Sequence, residues 1–301
     1  MNPVEAKNGV KMRMRDVDLA TLAVDVTCRS PAIDASGPIS TRQVQRHYDV
    51  MSLPYRIFWG NDLHHGLFLT GRESPRRAQR QLLEYCSILA GIPTGAKVLD
   101  VGCGYGGTII YLVRKFGCSV EGLTLSPKQA RIARQKIARA GIANRAKVHV
   151  CDVERTELDT KYDLIWMMES SEHLHDKAGC IAKIARVLGP GGKFVISAWT
   201  GAQSGPLMRD LARLTVCPGF QTAQEYEAQM EAAGLTIKIS EDLTPNVLPT
   251  WEICRRRVAR VRLLWRVLPL EIQDFIHAIP LVSEAYRCGL MSYMIIVGEK
   301  I

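Results

Sequence analysis

The sequence predicts an α/β protein built on a mostly parallel β-sheet. From about residue 96 onward, short apolar runs alternate with amphipathic stretches, which is the order that parallel strands with crossover helices require. A glycine-rich turn follows the first of these runs directly, where open sheets of this type bind ligands. The seven runs cover 97–101, 119–123, 147–151, 162–168, 193–199, 235–239 and 293–297.

Length and composition limit the class of protein. The 301 residues suffice for one large domain or two small ones. With 47% hydrophobic and 23% charged residues, the chain matches soluble globular proteins rather than disordered or collagen-like ones. It contains no apolar window of about 18 residues that would span a membrane. The polar, basic first residues do not form a secretory signal, so we expect a cytoplasmic location.

Nine cysteines are scattered along the chain without a close pair, which favours reduced thiols. No Cys and His cluster has the spacing of a zinc site, and we expect no metal. The formal net charge of +9 is compatible with an anionic partner or with a basic solvated surface.

Residues 1–39 mix charges with Pro31, Gly37 and Pro38 and show no sustained period, which predicts an irregular arm. A helix should begin after Ser40 or Thr41, and residues 40–301 should form the main domain. Some fifty residues separate the last two apolar runs, which is too long for a loop. We predict helical cap segments at about 40–75, 200–232 and 243–290, covering the carboxyl ends of the strands.

The helix predicted at 126–140 has a well-marked start. Ser126 is a typical N-cap, Pro127 suits the first turn, and Gln129 stands at the capping-box position.

The segment VLDVGCGYGGT places Gly102, Gly104 and Gly106 in the turn after the first strand. Glycine there allows the backbone to approach a ligand closely. Asp100, two residues earlier, either binds that ligand or accepts hydrogen bonds from the turn amides. Taken as GxGxxG, the same turn also fits a dinucleotide fingerprint, so a nicotinamide oxidoreductase is one hypothesis.

Together with YDLIW and RVLGPGGKFVIS, the DVGCGYG turn resembles the class I S-adenosylmethionine-dependent methyltransferases. The resemblance implies a Rossmann-like seven-stranded sheet with helices on both faces and a helical cap. It also implies that the glycine turn holds the methionine part of S-adenosylmethionine. Asp152 and Val153 would lie beside the adenine, and Thr124 and Leu125 would face the ribose. Many members carry an acid at the position of Thr124, so the ribose contact is expected to be shared with Gln129.

Further segments resemble the gamma-tocopherol methyltransferase group, which includes indole-alkaloid N-methyltransferases and relatives acting on terpenoids. These segments include HYDVMSLPYRIFWGNDLHHGLF, EGLTLSPKQ and WMMESSEHLHDK. By this resemblance, Glu172 and His173 match the pocket pair of the group, and the acceptor is a hydrophobic small molecule.

Candidate catalytic residues follow the fourth strand. His173 is the expected base, with Glu172 orienting it or holding a positive charge. Glu169 is expected to order the backbone or touch the cofactor. In the aromatic-flanked segment 58–68, His65 either contacts the acceptor or, like His64, satisfies backbone hydrogen bonds.

Three other histidine and tyrosine side chains receive weaker assignments. His47 and Tyr48 either touch the cofactor carboxylate or pack, and His149, inside a strand, is expected in the core.

The stretch Arg255 to Arg266 interleaves arginines with apolar residues. It is a solvated basic face, a membrane-surface contact or an anion site. We expect a small-molecule acceptor, no nucleic acid, and a homo-oligomer as one option.

The preferred function is C-methylation of an aromatic or prenylated acceptor, such as a terpenoid natural product. N-methylation of an amine, O-methylation, C-methylation of a prenyl diphosphate and a non-catalytic cofactor-binding scaffold are the alternatives.

Overall fold

The computed structural model describes residues 38–60, 62–202, 204–259 and 267–301. The arm predicted at 1–39 lies almost wholly outside these residues, so the domain boundary at residue 40 stays a prediction. Most of the basic stretch Arg255 to Arg266 also lies outside them.

Seven strands form one sheet in the order β3-β2-β1-β4-β5-β7-β6. All neighbours pair in parallel except at β7, which is antiparallel to both β5 and β6. This confirms the predicted mostly parallel, Rossmann-like sheet. The strands are β1 (Lys97–Val101), β2 (Ser119–Thr124), β3 (Ala146–Val150), β4 (Tyr162–Met168), β5 (Leu188–Thr200), β6 (Leu235–Asp242) and β7 (Ser292–Lys300).

Each predicted strand is present, and the largest difference in bounds is at β5. It begins at Leu188 rather than Lys193, because Leu188 pairs with Tyr162 before an irregularity in the register.

Helices cover both faces of the sheet, as expected. The described helices are α1 (Thr41–Phe58), α2 (Pro75–Ala90), α3 (Gly107–Phe116), α4 (Pro127–Arg139), α5 (Lys177–Arg186), α6 (Gly205–Leu214), α7 (Ala223–Ala232), α8 (Thr244–Val247), α9 (Pro249–Ala259) and α10 (Leu270–Arg287). Successive strand residues alternate between the two faces. Val98 and Leu164 therefore join the core with α2, α3 and α4, whereas Leu99 and Ile165 join the core with α5 and α7.

Among the residues that the structure describes, no helix combines the length and the apolar character needed to cross a bilayer.

The cap is formed by α1, α6, α9 and α10, and α10 contacts each of the other three. Helix α1 begins at a complete capping box between Ser40 and Gln43, as the sequence predicts. The predicted cap segment 200–232 is only partly correct. Its second helix, α7, packs on α5 and β6 and belongs to the layer that covers the sheet.

Helix α4 begins as predicted, with the Ser126 hydroxyl accepting from the Gln129 amide and Pro127 in the first turn. The capping-box role of the Gln129 side chain is wrong. Its amide oxygen instead accepts a hydrogen bond from the Thr124 hydroxyl at 2.8 Å, because β2 ends directly beside the helix start.

Candidate active site

The glycine turn between β1 and α3 opens onto a cavity at the carboxyl ends of the strands. Gly102 and Gly104 have φ angles of 84° and 50°, which side chains rarely adopt. A Cβ on Gly102 would collide with Ser170, so this glycine is required by packing. A Cβ on Gly104 would meet only loose contacts, Leu63 at 3.6 Å and the Gly102 carbonyl at 4.0 Å, at the edge of the cavity that Gly104 lines. Gly104 therefore leaves the space that a ligand needs.

Asp100 lines the same cavity from the end of β1. It is 2% exposed, its Oδ2 has no hydrogen-bond partner, and burial raises the pKa of its carboxyl to about 7. The turn amides of Gly102 and Cys103 donate to the Leu123 carbonyl, each at 2.9 Å. The interpretation of Asp100 as the acceptor of these amides is therefore wrong, and its unpartnered oxygen remains available to a ligand.

The end of β2 offers a hydrogen-bond donor rather than a carboxylate. The Thr124 hydroxyl donates to Gln129 and accepts from the Ser126 amide at 3.2 Å. The amide NH₂ of Gln129 is left to face the cavity, which Leu125 also lines. Glu121 does not replace the acid that many related enzymes carry at the position of Thr124. Its carboxylate accepts from the Tyr162 hydroxyl at 3.1 Å and lies outside the cavity.

Asp152 and Val153 line the cavity after β3, as expected for the far end of a nucleoside. One Asp152 oxygen accepts from the Glu154 amide at 3.0 Å, which fixes the turn that carries both residues. The cavity encloses about 1080 Å³ of empty space, part of it open to solvent.

A second cavity of about 520 Å³ lies under the cap. Its lining includes six aromatic side chains from α1, β5, α9, α10 and the segment after α1, and, among the described residues, no Lys or Arg. Four side chains line both cavities: Tyr48, Leu63, Glu169 and His173. These four side chains form the boundary between the two cavities, and a group passed from one cavity to the other would cross it.

His173 is held in one tautomer at the boundary. Its Nδ1 lies 3.0 Å from the Val216 carbonyl, which can only accept, so Nδ1 carries the proton. Its Nε2 then accepts from the Tyr48 hydroxyl at 2.6 Å. Burial lowers the pKa of His173 to about 4, so the ring is neutral near pH 7.

Glu172 is 2% exposed and lines the second cavity. Its Oε1 accepts from the Trp199 amide at 2.6 Å, and its Oε2 has no partner. Burial raises the pKa of this carboxyl to about 8. The expectation that Glu172 orients His173 is wrong, because Val216 and Tyr48 hold the imidazole instead.

Glu169 is the best-bonded carboxylate of the site. It accepts from the His65 amide (2.7 Å), His65 Nδ1 (2.8 Å), the Tyr293 hydroxyl (2.7 Å) and Trp199 Nε1 (3.2 Å). Burial alone would raise the pKa of Glu169, but the interactions with His65 outweigh it and the pKa is lowered. Glu169 is therefore an ionised carboxylate. Of its two expected roles, the structure shows the ordering of the backbone, because Glu169 accepts from the His65 amide.

The catalytic assignment of His65 is wrong. The residue is fully buried, its Nδ1 binds Glu169, and its Nε2 accepts from the indole of Trp251 at 2.6 Å. Both nitrogens are engaged, so neither reaches an acceptor.

His64 follows the backbone interpretation, since its Nδ1 donates to the His65 carbonyl at 2.8 Å. The Nε2 of His47 bonds to the Tyr55 hydroxyl at 2.9 Å, and His47 is 3% exposed. His149 is not in the core: half of its side chain is exposed, 3.9 Å from Glu121.

Sequence reasoning left Tyr48 between two roles and assigned none to Val216. Tyr48 follows His47 on a helix that the sequence places in the cap over the site, and this position was a usable signal. For Val216 there was none, because nothing in its sequence neighbourhood marks a backbone contact to His173.

Two non-glycine residues have left-handed backbones among those the structure describes, Glu169 (φ 48°) and Val216 (φ 55°). This conformation costs about 1–2 kcal/mol for a residue with a side chain. The surrounding contacts must supply that free energy, and the result is that the Val216 carbonyl faces His173.

Glycine tolerates this conformation whereas alanine does not, so we expect Val216→Gly to be more stable than Val216→Ala by about 1 kcal/mol. Chemical denaturation of the two variants measures the difference. The usual order, with alanine the more stable, would show that residue 216 does not hold a left-handed backbone.

Comparison with known proteins agrees with this geometry. The family model for mycolic acid cyclopropane synthetase matches residues 38–262. "Probable tocopherol O-methyltransferase, chloroplastic" of Oryza sativa subsp. japonica is 30% identical, over 84% of this chain and 76% of that protein. The 2-methyl-6-phytyl-1,4-hydroquinone methyltransferase of Synechocystis sp. is 28% identical, over 77% of this chain and 78% of that protein.

Among solved structures, the cyclopropane synthase MmaA2 of Mycobacterium tuberculosis superimposes with a TM-score of 0.78 at 20% identity. The match covers 88% of this chain and 100% of that one, which shows a shared fold. The chain therefore belongs to the mycolic acid cyclopropane synthetase family of class I methyltransferases, in its tocopherol methyltransferase-like group, and is an enzyme that uses S-adenosylmethionine.

Proposed function

We propose that this methyltransferase acts on a neutral, hydroxylated aromatic acceptor with an isoprenoid or similar apolar substituent, and that it methylates a ring carbon. The observation that carries the proposal is the hydrogen bond between Tyr48 and neutral His173 at the boundary of the two cavities. The hydroquinone and tocopherol named for the two relatives fit the same class of acceptor.

The first cavity suits S-adenosylmethionine. The open space at Gly104 would take its methionine part, and the unpartnered oxygen of Asp100 its cationic groups. Gln129 would donate to the ribose, with Thr124 and Leu125 beside it, while Asp152 and Val153 would flank the adenine. When bound, this cofactor supplies an electrophilic methyl group.

Tyr48 and His173 form a path for the acceptor's proton. Tyr48 lines the second cavity, which would hold the acceptor and is called the acceptor cavity below. The lone pair of His173 Nε2 already accepts the hydroxyl hydrogen of Tyr48. A phenolic acceptor would give its hydroxyl proton to the Tyr48 oxygen while the Tyr48 proton passes to Nε2. The imidazole is neutral before this step, as a base must be. Methylation of the ring carbon would then be completed by loss of that carbon's own hydrogen as a proton, while the proton on Nε2 returns through Tyr48 to the acceptor oxygen.

The lining of the second cavity argues against a prenyl diphosphate. A diphosphate needs cationic partners, and no Lys or Arg among the described residues lines this cavity. An amine is the second candidate, because the ionised Glu169 lies on the lining. However, its two oxygens already accept four hydrogen bonds, which leaves little capacity for an ammonium group.

Family membership excludes the nicotinamide and scaffold interpretations. A membrane-surface contact through the basic stretch stays a proposal. It is supported by the exposed side chains of Arg255 and Arg256, although both pair with Glu252. The cytoplasmic location and the homo-oligomer stay predictions.

Gly104→Val should lower affinity for S-adenosylmethionine at least about tenfold, because its side chain fills the cavity. Gly141→Val is the matched control: Gly141 also has a positive φ, 70°, but a Cβ there meets nothing. Both variants should lose comparable stability, and only Gly104→Val should lose binding in titration calorimetry. Equal affinity of the two would refute this placement of the cofactor.

Affinity for S-adenosylmethionine should rise roughly five- to tenfold between pH 6 and pH 7.5. Asp100 becomes ionised as the pH rises through about 7, and the ionised form attracts a cation. In Asp100→Asn, calorimetry at the same two pH values should give equal affinities. A profile with the same slope in the variant would assign the titration to another group.

His173→Ala and Tyr48→Phe should each reduce turnover of a prenylated phenol about a hundredfold or more, because each interrupts the proton path. His149→Ala, outside both cavities, should leave turnover unchanged. The experiment offers wild type prenylated phenols, indoles, amines and prenyl diphosphates and locates the new methyl group by NMR. Methylation of an amine with turnover intact in His173→Ala would replace the proposal by its second candidate.

A further inference from the structure

The acceptor cavity contains two carboxyl groups with opposite surroundings. Glu169 accepts four hydrogen bonds, as described above. Glu172 accepts one, from the Trp199 amide, and its second oxygen is buried without a partner. Three hydrogen bonds fewer make ionisation much less favourable at Glu172 than at Glu169.

The neighbours of Glu172 do not compensate. The ionised Glu169 repels a second negative charge in the same cavity. Lys177 lowers the pKa of Glu172 but does not offset burial, because its Nζ is directed to the backbone carbonyls of Glu172 (3.4 Å) and Leu174 (2.7 Å) instead of to the carboxyl group. Other titratable groups that face Glu172 are neutral near pH 7: Tyr48, His173, Cys217, Tyr226 and Tyr286.

A buried polar oxygen without a partner is costly, by about 1–3 kcal/mol, unless a ligand completes it. A protonated carboxyl has a hydrogen to donate, so the ligand atom that completes it must be an acceptor. The cavity around it is aromatic, and so the rest of that ligand is apolar.

We propose that Glu172 is a neutral carboxylic acid that donates a hydrogen bond to an oxygen of the acceptor, and so selects oxygenated aromatic compounds over amines. This inference rests on the proposed function and names the feature by which the acceptor is recognised. It also reverses the expected role of Glu172, which was to hold a positive charge.

The same hydrogen bond bears on where the methyl group goes. A lone pair that accepts a hydrogen bond is less available for attack than one that is free. An acceptor oxygen bound to Glu172 is therefore protected, while the ring carbons remain able to react.

Binding to the enzyme saturated with S-adenosylhomocysteine tests the proposal without turnover. The probes are naphthalene, 2-acetylnaphthalene, which only accepts hydrogen bonds, and 2-(aminomethyl)naphthalene, which is a cation at pH 7. We expect wild type to prefer the ketone to naphthalene by roughly two- to tenfold, the value of one hydrogen bond. The amine should gain no such preference.

Two variants of Glu172 distinguish a neutral carboxylic acid at this position from a carboxylate. Glu172→Gln keeps a donor of the same shape and should keep the preference for the ketone. Glu172→Leu has no donor and should lose it. Glu121→Gln, whose carboxylate lies outside both cavities, should behave as wild type. Unchanged affinity for S-adenosylhomocysteine shows that each variant is folded.

The proposal is overturned if wild type prefers the amine and Glu172→Gln loses that preference, since Glu172 would then be an anion. It is equally overturned if wild type does not distinguish the ketone from naphthalene, or if Glu172→Leu still does. A ketone preference that depends on Glu172, with methyl products formed only from aromatic ketones or ethers and none from phenols, would leave this inference standing and refute the proposed function.

Discussion

The hydrogen bonds that converge on Glu169 fix the positions of the segments that form the two cavities. This carboxylate receives donors from the segment after α1, from β5 and from β7, and through His65 it reaches Trp251 on α9. Each of these segments also contributes to the wall of the acceptor cavity or lies directly behind it. A charge with four donors is inexpensive to bury, whereas removing the carboxylate would leave several donors unpaired. The left-handed backbone of Glu169 is the local cost of placing the carboxylate where all of them meet.

Burial then determines the protonation states around this fixed anion. His173 stays neutral because its ring is enclosed and both nitrogens are bonded to uncharged groups. Glu172 stays protonated because one amide is too little to stabilise a buried charge. A single cavity thus contains a carboxylate, a carboxylic acid and a neutral imidazole at one pH. The difference arises because all three groups are buried, but only Glu169 also interacts with His65, which lowers the pKa of this carboxyl.

The sequence was sufficient for the sheet and for most of the residues that line the first cavity. Apolar runs of strand length separated by helix starts identify β1 to β7, because local periodicity reports which faces are buried. The glycine turn is equally local, since a side chain would collide with Ser170 at Gly102 and the backbone of Gly104 is left-handed. Gly106, predicted with them to bind the cofactor, instead faces Ala133 of α4 and does not line the cavity. The acceptor side was predicted less well. His65 and His173 look alike in sequence, and what separates them is which residues from distant parts of the chain occupy their nitrogens. Val216 has no local signal, because its importance is that of a carbonyl facing His173 across 43 positions of sequence.

The position of β7 in the sheet has a consequence for how the chain folds during its synthesis on the ribosome. This strand is the last of the seven to be synthesised, yet it lies between β5 and β6 and its Tyr293 donates to Glu169 across 124 positions of sequence. Strand β6 has no neighbour in the sheet until β7 inserts beside it. The glycine turn and its cavity are built from earlier strands, whereas Glu169, on the wall of the acceptor cavity, lacks one of its four donors until β7 is in place. The hydrogen bonds on Glu169 therefore cannot be complete before β7 has been synthesised and has paired with β5.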